Sequence, residues 1–179
     1  MRRLRVLFVT LLSLAGLLSA TGPAAAATPP GGYFYLKFFH SGKCVSVPGD
    51  ALTSGLYLTQ WTCLGKSSQQ FYFDMRGGTL DPPRTWGLVG RKYTLLCVAV
   101  KNGWTSNGVA IVQQPCETGD GEMFEFKRDS SMPAGYYWMT STRSGKVVNV
   151  SGASTANGAG LIQYPAQHVS NSYVTFVPA

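Results

Sequence analysis

The chain has 179 residues, a formal net charge of +7, 13% charged residues and 45% hydrophobic ones. A length of this order suits a single domain with a proper core. Its lysines and arginines are scattered, with only Arg91-Lys92 and Lys127-Arg128 adjacent beyond the first few positions. That spread argues against the concentrated positive face of a nucleic-acid binder.

In chain order, Arg2, Arg3 and Arg5 precede an apolar run from Val6 to Leu18, and Ala24 to Ala27 offer an Ala-x-Ala cleavage site. Residues 1–27 are therefore predicted to be a secretory signal peptide cut near Ala27, the run being too short to span a bilayer comfortably. Without those three arginines the chain is only mildly basic, which reads as a solubility feature. Residues 28–32, with Pro29-Pro30 and a Gly pair, read as a short lead-in to one domain over 33–179. No later apolar stretch approaches a spanning length. A soluble, secreted, extracellular protein is expected, with no membrane contact after cleavage.

From residue 33 the chain repeats itself. Cys44, Gly55, Trp61, Cys63, Phe71 and Phe73 return as Cys97, Gly108, Gln114, Cys116, Phe124 and Phe126, and again as Val147, Gly158, Tyr164, Ala166, Val174 and Phe176. Apolar columns follow the same steps: Val45/Val98/Val148, Val47/Val100/Val150, Leu58/Ile111/Leu161 and Tyr33/Trp86/Tyr136. One pair of offsets aligns every column without an internal gap, so the domain is a triplicated unit, with repeats 33–85, 86–135 and 136–179.

The repeat also sorts the cysteines. Export places all four in an oxidising setting, where three connectivities are open. Cys44 and Cys63 have the same separation as Cys97 and Cys116, and repeat three loses both columns together, to Val147 and Ala166. Joint loss is what bonded pairs show, so the expected disulfides are Cys44–Cys63 and Cys97–Cys116. Metal binding is the rival, and no Cys-x-x-Cys or His-rich spacing supports it.

Short alternating or β-branched runs dominate each unit, as in 43–47, 108–112 and 146–150. Between them lie turn clusters such as Pro48-Gly49-Asp50, Asn102-Gly103 and Ala156-Asn157-Gly158. Three copies of about four brief strands point to an all-β, pseudo-threefold β-trefoil, since one unit alone cannot bury its apolar face.

Cys44-Val45-Ser46-Val47, Gly55, Gln60-Trp61-Thr62-Cys63 and Ser68-Gln69-Gln70-Phe71 together resemble one unit of a ricin-B-type (R-type) lectin. That family reads Cys-Leu-Asp-Val, a Gly, an aromatic before the second Cys, and then Asn-Gln-x-Trp. Residues 144–152 of repeat three resemble it as well, and the likeness extends over 33–179. The Gln-x-Trp element is degenerate: Gln69-Gln70-Phe71, Glu122-Met123-Phe124 and Ser172-Tyr173-Val174. The resemblance implies a trefoil with up to three shallow sugar sites and no catalytic role.

Sugar recognition needs a flat aromatic against the pyranose ring and polar groups for its hydroxyls. The family's acidic acceptor column reads Ser46, Ala99 and Asn149 here, and the outward aromatic column Trp61, Gln114 and Tyr164. Repeat three is expected to carry the best site, with Asn149, Tyr164, Asn157, His168 and Asn171. Repeat one follows with Ser46, Trp61 and Ser68, while Ala99 and Gln114 leave repeat two without one. Gln60, Gln113 and Gln163 share the inward side of their strands and read first as buried amides pinning loop backbone. Trp104 breaks the repeat in a Gly/Asn-rich loop, as an exposed contact residue or a lid.

Neither His40 nor His168 occupies a repeated column, and no nucleophile elbow or phosphate-cradling loop occurs. Glu117, Asp120, Glu122 and Glu125 read as a solvated cluster. The expectation is a monomeric, non-catalytic carbohydrate-binding module with no cofactor and no metal. The alternative is a β-trefoil that binds protein, such as a protease inhibitor presenting a rigid loop near Trp104 or Pro82-Pro83.

Overall fold

In the computed structural model, residues 31–74, 86–90, 95–116 and 120–179 are described. The leader, most of the lead-in and Pro82-Pro83 lie outside them. Phe34, Leu36 and Phe38 are buried and alternate with Tyr35 and Lys37, which writes the strand β1 (Phe34–Phe38). The same logic, interrupted by Gly-rich turns, gives β2 (Cys44–Ser46), β3 (Thr59–Trp61) and β4 (Phe71–Asp74) in repeat one. Repeat two supplies β5 (Trp86–Gly90), β6 (Leu96–Val100), β7 (Ile111–Pro115) and β8 (Met123–Lys127). Repeat three supplies β9 (Tyr137–Ser141), β10 (Val147–Val150), β11 (Leu161–Tyr164) and β12 (Tyr173–Pro178).

The first and fourth strands of each repeat pair antiparallel into a ring. β1 pairs β4 at Phe34↔Phe71, β4 pairs β5, and β5 pairs β8 at Trp86↔Phe124. β8 then pairs β9, β9 pairs β12, and β12 returns to β1 in the register Leu36↔Phe176. A closed ring leaves no edge to template aggregation. The remaining strands form three hairpins, β2–β3, β6–β7 and β10–β11. They meet one another through the bridges Tyr57↔Val112, Thr59↔Gly160 and Ala110↔Ile162, a triangular cap over one mouth of the barrel. This is a β-trefoil.

Threefold columns fill the core. Leu58, Ile111 and Leu161 are buried together with the pairs Val45/Val47, Val98/Val100 and Val148/Val150 from the hairpins. At the barrel, Phe34 stacks on Phe73 at 4.6 Å, and Phe73, Phe126 and Phe176 meet edge to face. Each fully buried side chain of this size contributes roughly 2 kcal/mol, and a repeat alone would leave half of these faces wet. The disulfides are Cys44–Cys63 and Cys97–Cys116, each closing the open end of its hairpin. In repeat three Val147 pairs with Tyr164 without a covalent tie.

The three glutamines explain how the cap holds together. Gln60 Nε2 donates to the carbonyls of Ser154 (2.7 Å) and Ala156 (2.9 Å) in repeat three. Gln113 does the same to Ala51 and Thr53 of repeat one, and Gln163 to Trp104 and Ser106 of repeat two. The backbone carbonyls of these glutamines in turn accept from Gly158, Gly55 and Gly108. Those glycines sit at φ +82°, +78° and +77°, a region that side chains resist. Side chain and backbone of each glutamine therefore clamp the loop of a neighbouring repeat, cyclically, around the threefold axis. They are structural amides.

Candidate functional site

Strand alternation on β3 turns Gln60 inward and Trp61 out, leaving the indole 42% exposed. Beside it the chain leaves β2 through Pro48-Gly49-Asp50, a turn in which Gly49 and Asp50 both take left-handed φ (64° and 56°). Between turn and strand lies a cavity of ≈ 360 Å³ lined by Ser46, Val47, Pro48, Gly49, Asp50, Trp61, Leu64, Lys66, Ser68 and Gln69. Its size falls within the roughly 300–1,000 Å³ typical of small-molecule sites. Gln69 shapes the wall from behind, accepting from the Leu64 N–H and donating to the Thr62 carbonyl. Ser46 and Ser68 are buried and line the cavity with neutral hydroxyls. Trp61 and Leu64 supply apolar surface, Asp50 a carboxylate and Lys66 an ammonium.

Repeat two is closed at the same place. Ala99 is fully buried in the column of Ser46, and Gly121 occupies that of Ser68. A Cβ on Gly121 would lie 3.0 Å from the Cα of Gly103, so the two turns touch where repeat one has room. Gln114, in the aromatic column, donates to the buried Glu122. Glu122 and Glu125 are thus packed or partly covered rather than fully solvated, and Glu117 lies outside the described residues.

Repeat three presents Tyr164 as exposed as Trp61, at 42%. Its polar partners are occupied differently from the sequence expectation. Asn149 is buried and donates to the carbonyl of Val147 on its own strand, and Asn171 donates to that of Val150. Asn157 is not assembled with Tyr164. Its Oδ1 accepts from the backbone N–H (2.9 Å) and hydroxyl (3.2 Å) of Thr62, next to Trp61. The loop 154–160 crosses to repeat one because Gln60 clamps it there, and Gly158 lies under the Trp61 ring.

His168 also sits elsewhere. Its Nδ1 lies 3.0 Å from Ser131 Oγ, its Nε2 3.6 Å from Asp129, and its ring packs on Trp138. The Ser131 hydroxyl donates to Asp129 at 2.7 Å, so it is committed to the carboxylate rather than presented as a nucleophile. The Ser131 hydroxyl, its backbone N–H and the neighbouring His168 hold the Asp129 carboxyl below the usual carboxylate range. Burial, and secondarily the Asp129 charge, raises the Tyr173 phenol. Among the described residues no group of three or more His, Cys, Asp or Glu could hold a metal ion. No described helix is long and apolar enough to cross a membrane. Trp104 is an exposed residue (55%) on a loop pinned through its own carbonyl by Gln163.

Asp50, Leu64 and Lys66 were missed by sequence reasoning. Their columns read Gly103 and Ala153, Glu117 and Gln167, Gly119 and Val169, so no repetition marks them. A Pro-Gly-Asp turn directly after the acceptor strand was the available signal.

The fold has relatives. The designed threefold-symmetric protein ThreeFoil is 28% identical with a TM-score of 0.73, over 82% of this chain and 99% of that one. An exo-β-1,3-galactanase from Clostridium thermocellum is 25% identical with a TM-score of 0.74, over 86% of this chain and 31% of the enzyme. A β-agarase of Agarivorans albus is 41% identical over 56 residues, 31% of this chain. The chain spans only 12% of that curated relative's length. ThreeFoil is matched along nearly its whole length, whereas the chain covers only a part of each glycoside-cleaving enzyme. The family model described as "Ricin-type beta-trefoil lectin domain-like" matches residues 26–114 and 85–164, and the chain belongs to that family.

Proposed function

We propose that this protein is a secreted, non-catalytic carbohydrate-binding module, monomeric, whose working site lies in repeat one. The observation that carries the reading is the cavity beside the exposed Trp61, lined by both Ser46 and Trp61, the columns that the R-type resemblance assigns to sugar. An indole offers a flat apolar face to the C–H side of a pyranose. Ser46, Ser68 and Asp50 line the same cavity and provide acceptors for ring hydroxyls. The carboxylate missing from the column of Ser46 is replaced by one four residues on, at Asp50. Relatives whose names include a galactanase and an agarase favour a galactose-containing polymer as the ligand.

Repeat three, which the residue pattern favours, is the second site. Tyr164 supports it, and Asn149 and Asn171 each give a backbone carbonyl one N–H of an amide that has two N–H donors and an acceptor oxygen. Two unlike sites give modest avidity on a polymer. The export signal at residues 1–27 is the ground for secretion.

The test is binding of the oxidised protein to a polysaccharide panel, with Trp61→Ala and Tyr164→Ala beside it. Trp61→Ala is expected to weaken binding at least about tenfold, the loss of about 1.4 kcal/mol of stacking. A smaller loss is expected for Tyr164→Ala, and the reverse order would move the working site to repeat three. No saccharide binding by folded protein would leave the protein-binding reading, with the Trp104 loop as its surface.

A further inference from the structure

We propose that the repeat-one cavity selects an anionic pyranose, a sugar ring bearing a carboxylate or a sulfate ester, through Lys66. This rests on the saccharide-binding reading above and names the ligand class. Everything the threefold fold requires is repeated three times: the apolar columns, the clamping glutamines and the loop glycines. The two charges of the cavity are not. In repeat three the column of Asp50 is Ala153 and that of Lys66 is Val169. Departures from a repeated pattern that the scaffold does not need are where function is expected to sit.

The chemistry of the lining fits one kind of ligand. Ser46 and Ser68 leave the buried end of the cavity without a fixed charge. Lys66 is exposed on the wall shared with Leu64, its ammonium carrying three donors and no acceptor. A neutral ring stacked on Trp61 offers that ammonium only hydroxyls. A carboxylate or sulfate gives it a charge-assisted hydrogen bond, while ring hydroxyls donate to Asp50. The cavity thus calls for a ligand anionic at one edge and rich in hydroxyls at the other.

The test is calorimetric titration of the oxidised full chain with oligomers of galacturonate, of a sulfated galactan and of neutral galactan. Wild type, Lys66→Met and Lys66→Arg are compared at low and high salt. One of the two anionic ligands is expected to bind about tenfold tighter than the neutral one, and which one identifies the anion. Lys66→Met should abolish that preference, and Lys66→Arg should keep it. The preference should fade with salt, because the pair is exposed. Neutral galactan binding as tightly as both anionic ligands overturns the proposal while leaving the saccharide reading intact. A preference that survives Lys66→Met also overturns it, assigning the effect to overall positive charge. Folded protein that binds none of the three overturns both.

Discussion

Ser46 and Asn149 stand in one column of the repeat, on β2 and β10, and Trp61 and Tyr164 stand in another, equally exposed. Around these matched pairs the two repeats do different things with their polar groups. In repeat one short hydroxyls stop short of the backbone, and the space they leave is a cavity with a charged wall. In repeat three longer amides reach back and satisfy carbonyls of their own repeat. A longer polar side chain does not make a better binding site when a buried carbonyl lies within its reach. Leaving such a donor or acceptor unpaired costs about 1–3 kcal/mol, so the amide goes to the backbone first. Repeat two is a third outcome, in which Gly121 lets two turns meet.

The sharpest way to probe what the repeats share is to break the clamp in each. Gln163→Leu keeps the volume but orphans the carbonyls of Trp104 and Ser106, and should lower unfolding free energy by about 3 kcal/mol. Gln60→Leu orphans Ala156 in the same way, but Ser154 keeps a second neighbour. His40 Nε2 lies 3.0 Å from that carbonyl and donates in the Nε2–H tautomer. The loss should be smaller, about 2 kcal/mol, when both are read by denaturant titration. Equal losses would mean that His40 holds the other tautomer. Losses below about 1 kcal/mol would remove the glutamines from the structural role assigned to them.

A smaller difference lies in the turn after the second strand. Each repeat places two successive residues at positive φ: Gly49-Asp50, Asn102-Gly103 and Gly152-Ala153. Asp and Asn tolerate that region, whereas alanine, at φ 50°, has no polar group to compensate. Ala153→Gly should raise stability by about 1 kcal/mol, and Asp50→Gly should change it by only a few tenths. Equal effects would show that the turn in repeat three is relaxed by something other than its backbone.

Much of this was legible in the residues because threefold repetition averages away local ambiguity. The trefoil and the inward glutamines follow from columns that agree in all three copies, and the disulfides from Cys columns that two copies share and the third loses together. Trp61, Ser46 and Ser68 were singled out by the resemblance to an R-type unit, and the fold brings the three to one cavity. Asp50, Leu64 and Lys66 were not, since their columns hold unlike residues in the other repeats and only the fold brings the Asp50 turn beside Trp61. Asn157 and His168 were placed by nearness in sequence. In a trefoil the loops of one repeat are held by the next, so sequence neighbours of Tyr164 became neighbours of Trp61 and Trp138 instead.

The smallest expected effect concerns the loop that follows the third strand. In repeat three His168 is tied to Asp129 and Ser131 of the β8–β9 connection, whereas its column in repeat one is Gly65, beside the cavity. Asp129 titrates below its ordinary 3.8, chiefly because the Ser131 hydroxyl donates to the carboxylate. A carboxyl whose folded value is depressed favours the fold above the unfolded value and ceases to do so as pH falls through the folded one. The tie should therefore be intact at neutral pH and released in acid, below 3.8. Because the Asp129 side chain is partly open to solvent, which screens its charge, the effect should be slight, visible as loss of the Ser131 amide shift by NMR before any global unfolding. Asp129→Asn should flatten the acid limb of the stability curve while leaving saccharide binding at Trp61 untouched. An acid limb identical in the two proteins would mean that the loop of repeat three is held by the Trp138–His168 packing rather than by charge. The contrast with the wall of repeat one, held by the Cys44–Cys63 disulfide and by Gln69, would then be steric.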